Sequence, residues 1–378
     1  MSEKRILANS LIIKIKSQEI RCMKSDKKRL NALQIGELTA EKPIIQGGMG
    51  VGVSRSSLAG SVAAEGGVGI ISTAQIGYDE DGFEHNQAEC NRIAIRKHIA
   101  RAKEIAKGNG LVGVNIMVAL KHYKEHVQEA VSAGADVIIS GAGLPMELPE
   151  LIGKSSVKIA PIVSSRRATQ LILKMWAHRY GRTADFIVVE GPKAGGHLGF
   201  SREQLEDMEN LDYDAEIKAI ISCKKIYEEM FNTKIPVIVA GGVFDRQDID
   251  HVINLGADGV QIASRFVATA ECDASDAYKQ AYIDARKEDI QIIQSPVGMP
   301  GRALRNDFIK NLEVTRMSVK KCYNCLEKCD PRTVPYCITK ALIDAVKGDI
   351  KNGLIFCGEN VDRICEMTTV HDLMEELC

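Results

Sequence analysis

Phe186-Ile187-Val188-Val189-Glu190-Gly191-Pro192-Lys193-Ala194-Gly195-Gly196-His197-Leu198-Gly199 is the stretch on which the fold turns. Its head, Phe186 to Val189, is a short apolar run without a polar break, the pattern of a strand buried on both faces. Its tail is rich in glycine and delivers one histidine. Glycine lets a backbone approach a ligand with no side chain in the way, and imidazole titrates near neutral pH. Taken alone, the tail fits a glycine-rich turn with a surface histidine as well as it fits a cofactor site with a base beside it.

The flanking sequence separates the two readings. Upstream, apolar runs recur at residues 43–46, 68–72, 112–117, 137–140 and 159–163; downstream they recur at 236–240 and 259–262. Helical patterns fill the gaps. Ser54 is a cap candidate for a first helix ended by Gly66-Gly67, Asp245 caps another that Gly256 closes, and 213–231 reads as a third. The clearest helix, near 165–180, carries Ala168, Leu171, Ile172, Met175 and Trp176 at helical spacing before Gly181. Its Met/Trp stripe reads as core. Eight strand–helix units in about 220 residues suit a closed (β/α)8 TIM barrel, an α/β fold. The open doubly wound sheet is the alternative, and no G-x-G-x-x-G opens the first unit to favour it.

Composition narrows the function. The chain has 378 residues, 45% of them hydrophobic and only 5% aromatic, with 32 glycines and a formal net charge of −1. No global field draws it to nucleic acid or an anionic membrane, and no apolar run reaches membrane-spanning length. The N-terminus makes a poor signal peptide. Eleven cysteines without such a signal fit a reducing, cytoplasmic setting.

In a barrel the C-terminal strand ends share one face. Here they carry Gln46-Gly47-Gly48-Met49, Asn115, Ser140-Gly141-Ala142-Gly143, Val163-Ser164, Glu190 through His197, Gly241-Gly242 and Gln261-Ile262-Ala263-Ser264. These ends are rich in glycine and neutral amides. A carboxylate pair for hydrolysis is absent, as is a His/Asp metal cluster. A flat, hydrogen-bonding ligand suits such a rim. The glycines after the seventh and eighth strands match the usual barrel phosphate site. A phosphate-bearing flat cofactor such as FMN follows as the expectation.

The ordered set Ile45 to Gly50, Gly113-Val114-Asn115, Ala194 to Gly199, Val239 to Gly242 and Gly256 to Phe266 resembles the nitronate monooxygenase (2-nitropropane dioxygenase) family over roughly residues 38–310. FMN-dependent enoyl-acyl-carrier-protein reductases are its close relatives. The resemblance implies FMN on a TIM barrel, with contacts at Gly47, Gly48, Met49, Asn115, Glu190, Gly195, Gly196, Gly241, Gly242, Gln261, Ile262, Ala263 and Ser264. It implies His197 as the catalytic base. Two residues depart from the family pattern: Glu190 stands where many relatives have Gln, and Lys193 where many have Glu. The activity implied is oxidation of alkyl nitronates with O2. The alternative is an NAD(P)H-dependent enoyl-thioester reductase, and a second alternative is a flavin/Fe–S electron-transfer subunit. The partners expected are a small-molecule substrate, NAD(P)H in the reductase reading, and a second copy of the chain in a homodimer.

The other histidines read as solvated or structural. Gln294 to Ala303 is a Gly/Pro-rich loop, placed by the resemblance as part of a lid near 288–310. Arg302 and Arg305 are candidates to hold an anionic substrate group. Cys322-x2-Cys325-x3-Cys329-x7-Cys337 has ligand-like spacing. It locally resembles the [4Fe–4S] run of 2,4-dienoyl-CoA reductases; a structural zinc and unliganded thiols are the other readings. The expected organisation is an N-terminal extension over 1–38, an FMN-binding barrel over 39–310 and a small cysteine-rich helical appendage over 311–378.

Overall fold

The computed structural model describes residues 29–378, so most of the expected N-terminal extension lies outside the described residues. The described chain begins with a hairpin, β1 (Leu33–Ile35) and β2 (Leu38–Ala40). Six strands follow: β3 (Ile44–Gln46), β4 (Val68–Ser72), β5 (Leu111–Met117), β6 (Val137–Gly141), β7 (Lys158–Val163) and β8 (Ile187–Glu190). The two-residue strand β9 (Gly196–His197) precedes β10 (Val237–Ala240) and β11 (Gly259–Ile262), and β12 (Ile290–Gln294) and β13 (Pro300–Leu304) close the series. Eight parallel strands form a closed barrel in the order β10-β11-β3-β4-β5-β6-β7-β8. This is the TIM barrel expected from the sequence, with strand bounds within one residue of the apolar runs.

The helices are α1 (Ser56–Ala64), α2 (Gln87–Ala106), α3 (Tyr123–Ser132), α4 (Leu148–Ile152), α5 (Arg166–Tyr180), α6 (Arg202–Glu206) and α7 (Tyr213–Phe231). They continue with α8 (Arg246–Asn254), α9 (Ser264–Val267), α10 (Asp276–Ile283), α11 (Asp307–Val314), α12 (Ile338–Val346) and α13 (Val370–Leu377).

Strand alternation builds two cores. Ile45, Val68, Ile70, Val137, Ile139, Val188 and Ile238 point inward and fill the barrel. Their neighbours Ile44, Ile71, Ile138, Ile187, Val189, Val237 and Val239 point outward under the helices. Leu33, Ile35 and Ala40 of the hairpin belong to the inner core and plug one end of it. A boundary between 38 and 39 therefore cuts a hairpin that the barrel needs.

Local signals explain the helices. Ser165 caps α5 by accepting from the Ala168 N–H, and Gly181 ends it at φ 62°. Trp176 is fully buried, its indole N–H donating to the Pro145 carbonyl at 3.1 Å. Asp245 closes a capping box on α8. Ser54 does not cap α1. Its hydroxyl instead accepts from the Met49 N–H at 2.8 Å, and the distant Asp273 carboxylate accepts from the N–H groups of Arg55, Ser57 and Leu58. Gly69 is bare because α1 lies against β4: a Cβ there would sit 1.8 Å from the Ala59 carbonyl oxygen.

The C-terminal region is not a separate appendage. Leu354, Ile355, Cys357, Val361 and the α13 residues Val370, Leu373, Met374 and Leu377 share one buried cluster with Leu58 and Val62 of α1. The chain returns to the barrel after α12 and is part of its wall. The segment expected as a lid is a hairpin: β12 pairs antiparallel with β13, and β13 pairs with β9. The strand carrying His197 is thus the edge of a three-stranded sheet at the barrel mouth.

Candidate active site

The strand ends open into one cleft, and every residue expected to touch a cofactor lines it. Gly47, Gly48 and Met49 follow β3; Asn115 lies in β5; Glu190 ends β8; Gly195 lies in the loop beyond, with Gly196 and His197 as β9; Gly241 and Gly242 follow β10; Gln261, Ile262, Ala263 and Ser264 run from β11 into α9. Backbone dominates the wall. Gly48 lies so close to Asn115 that a Cβ would come within 2.5 Å of its side chain, and Gly47 rests on Gln261. Gly241 and Gly242 adopt φ of 84° and 104°, which suits glycine and turns bare backbone into the cleft.

His197 is held from two sides. Its register partner on β13 is Gly301, and its Nε2 lies 2.7 Å from the Ser295 hydroxyl. The Phe356 ring meets the imidazole edge-on, with centroids 5.0 Å apart. Burial lowers the imidazole pKa from 6.5 to about 4, so the ring is neutral at physiological pH. The sequence expectation of a base titrating near 7 does not survive this burial.

Glu190 shifts the other way. Burial raises its carboxyl from 4.5 to about 8, so it carries a proton near neutrality. Its backbone carbonyl accepts from the Tyr213 hydroxyl at 2.9 Å, while its carboxyl has no hydrogen-bond partner among the described residues. Gln261 Oε1 is buried nearby without a partner. Unsatisfied polar atoms in a cleft wall mark where a ligand completes the hydrogen bonding.

The cations sort cleanly. Arg302 is 1% exposed and does not face a substrate. Its guanidinium donates to the carbonyls of Pro192 and Ala194 and pairs with Glu359 at 2.8 Å, bracing the loop that carries His197. Arg305 pairs with Glu313 on the surface. Both corrections have one cause: each guanidinium already has its carboxylate. Within the cleft, Arg265 is held by Glu376 and stacks on Phe244. Lys193 alone of the lining cations has no carboxylate partner among the described residues, and its stem lies across Gly242.

The sequence model described as nitronate monooxygenase matches residues 31–378. The chain belongs to the nitronate monooxygenase family. A probable nitronate monooxygenase of Staphylococcus aureus is 27% identical over 300 residues, covering 73% of this chain and 78% of that protein. A Mycobacterium tuberculosis protein named as (3aS,4S,5R,7aS)-5-hydroxy-7a-methyl-1-oxo-octahydro-1H-indene-4-carboxyl-CoA dehydrogenase is 24% identical over 72% of this chain. The match spans 66% of that relative's length, just under two thirds. Among solved structures, FabK of Thermotoga maritima superposes with a TM-score of 0.67 at 23% identity, covering 93% of this chain and 95% of that one. Nitroalkane oxidase of Streptomyces ansochromogenes gives 0.65 at 18% identity, covering 89% and 95%. At these identities the structural likeness establishes the barrel fold.

Family motifs do not reach all of the cleft. Phe356 to Asn360 line it as well, and strand-end reasoning misses them because they belong to no barrel strand. The Gly358 N–H donates to the Ser264 hydroxyl at 3.0 Å, Asn360 donates to the Gly242 carbonyl at 2.8 Å, and the Glu359 N–H donates to the Lys193 carbonyl at 3.1 Å. Their one sequence signal is Gly358 after the short apolar run 354–357.

Among the described residues no group of three or more His, Cys, Asp or Glu side chains is placed to hold a metal ion. Cys322 is exposed and Cys325 is tucked in against Thr339. Cys337 precedes α12 and accepts from backbone N–H groups of its first turn. The thiols are still neighbours: Cys325, Cys329 and Cys337 lie near enough for their charges to raise one another's pKa, and Cys325 and Cys337 both meet Thr339. No helix among the described residues is long and apolar enough to cross a membrane.

Proposed function

We propose that this chain is an FMN-dependent oxidoreductase that oxidises alkyl nitronates with O2, with His197 as the group that meets the substrate. The observation that carries this reading is the cleft wall itself: bare glycine backbone, an unpaired Gln261 amide oxygen and neutral donors around one half-buried histidine. That donor set fits FMN. Gln261, Asn115 and the protonated Glu190 offer complementary hydrogen bonds to the polar edge of an isoalloxazine ring. Gly47, Gly48, Gly195 and Gly196 leave its faces free of side chains. Gly241, Gly242 and Ser264 offer hydrogen bonds for its phosphate, and Lys193 offers the charge. FMN supplies the redox chemistry.

The chain's own residues bind, orient and exclude water. His197 is fixed by Ser295 and by the edge of the Phe356 ring, so it meets a substrate in one orientation. The hairpin β12–β13 flanks it, β13 pairing with the strand that carries His197. A neutral imidazole stabilises negative charge on a substrate oxygen by hydrogen bonding without adding a charge of its own.

The second reading is an NAD(P)H-dependent enoyl-thioester reductase. What favours it is similarity to an enzyme named for a CoA thioester. One experiment tests both. The purified yellow protein is mixed anaerobically with NADH or NADPH, and flavin absorbance is followed. Unchanged absorbance with rapid O2 uptake on ethyl nitronate supports the first reading; bleaching with turnover of a crotonyl thioester supports the second. A colourless protein that FMN cannot reconstitute refutes both.

A further inference from the structure

We propose that Ser295 is a positioning residue that fixes the tautomer of His197, so that the ring presents its Nδ1–H to the cleft as a hydrogen-bond donor and not as a base. The argument is a hydrogen-bond count. Ser295 is 2% exposed. Its hydroxyl oxygen lies 3.3 Å from the Val297 N–H, which can only donate to it, and 2.7 Å from His197 Nε2. A hydroxyl has one hydrogen to give. Had Nε2 carried a proton and donated to Ser295, the serine hydrogen would be buried with no acceptor, because no other partner exists for it among the described residues. Leaving a buried donor unmade is the costlier arrangement. The hydroxyl therefore donates to Nε2, and the proton of the neutral ring sits on Nδ1.

The turn holds Ser295 in this role. The Ser295 N–H donates to the Met299 carbonyl at 3.2 Å, and the Gly298 N–H donates to the Ser295 carbonyl at 2.9 Å. Register pairing of Gly301 with His197 sets the imidazole beside this turn. Nδ1 has no hydrogen-bond partner among the described residues, and His197 lines the cleft. The only nitrogen left for a ligand is thus a donor. Such a ring steadies an oxygen that is already anionic or becomes so, as a neutral imidazole can act as an electrophile. It does not take a proton from carbon. Resting on the nitronate reading, the inference restricts the substrate to the preformed nitronate anion and excludes the neutral nitroalkane.

Selective 15N-histidine labelling of the flavin-loaded protein tests the tautomer directly, with His197→Asn assigning the ring signals. The expected result is a proton on Nδ1 in the wild type, retained in Ser295→Thr and redistributed toward Nε2 in Ser295→Ala. In parallel, ethyl nitronate and neutral nitroethane are compared as substrates. Ser295→Ala should raise the neutral-to-anion rate ratio by about a hundredfold, the lower end of what a positioned general base adds. A proton on Nε2 in the wild type overturns the proposal, as does wild-type turnover of nitroethane at the nitronate rate. A proton on Nδ1 with turnover of neither substrate upholds the tautomer and refutes the nitronate reading, so the two failures stay distinct.

Discussion

Replacing Arg302 by leucine should unlock the histidine loop without touching any substrate contact. Arg302 is fully buried and donates to the carbonyls of Pro192 and Ala194, both in the loop between β8 and His197. It also pairs with Glu359, in the segment that lines the cleft from the C-terminal side. Leucine keeps the apolar stem and removes every donor. Each buried acceptor left unmade costs about 1–3 kcal/mol. Glu359 keeps Lys287 at 2.7 Å, so its charge is not stranded. For the two carbonyls the sum is about 2–6 kcal/mol. Lysine cannot span two carbonyls and a carboxylate with one ammonium, so Arg302→Lys should recover only part of the loss. Urea unfolding followed by flavin release and by far-ultraviolet dichroism measures it. The flavin signal should fail first, because the braced loop is part of the cleft. An unchanged unfolding midpoint in Arg302→Leu, together with KM raised at least tenfold for an anionic substrate, would refute the bracing role.

Further outcomes follow from the cleft. Glu190 is raised to about 8 from 4.5, so its stabilising contribution is whole below 4.5 and is lost as pH rises through 8; Glu190→Gln should flatten the fall in unfolding midpoint across that window, and parallel wild-type and mutant curves would count against it. His197 has the opposite sign: lowered to about 4 from 6.5, it contributes fully above 6.5 and loses this as pH falls through 4, so His197→Asn should flatten the acid limb. Lys193→Ala should weaken FMN binding by about tenfold, or 1.4 kcal/mol, while leaving riboflavin affinity unchanged; equal losses for both ligands would show that Lys193 does not serve the phosphate. Gly69→Ala, which forces a Cβ within 1.8 Å of the Ala59 carbonyl, should abolish soluble expression, and a wild-type melting curve would contradict the tight α1–β4 approach.

What the sequence reveals and what it hides divide along one physical line. The eight strands were legible because a parallel strand covered on both faces must be apolar at nearly every position, as Val237-Ile238-Val239-Ala240 is. Barrel topology then forces the residues after those strands onto one face, so the convergence of Gly47, Asn115, Gly241 and His197 follows from chain order alone. The second tier was hidden because its partners come from elsewhere in the chain. Ser295 reaches His197 across 98 residues from a hairpin whose strands, with Gln291, Gln294, Pro300 and Gly301, show little apolar alternation. An arginine in a Gly/Pro loop reads alike whether it binds a substrate anion or braces the chain; for Arg302 the deciding residue is Glu359, beyond two helices and a cysteine-rich loop. The ionisation of the site was hidden for the same reason. His197 and Glu190 lie seven positions apart in one legible motif, yet burial drives one pKa down and the other up. A buried site disfavours charge of either sign, so the imidazole sheds its proton and the carboxyl keeps one. The two groups therefore meet a ligand as neutral donors, a polarity that follows from the walls around the motif and not from its letters.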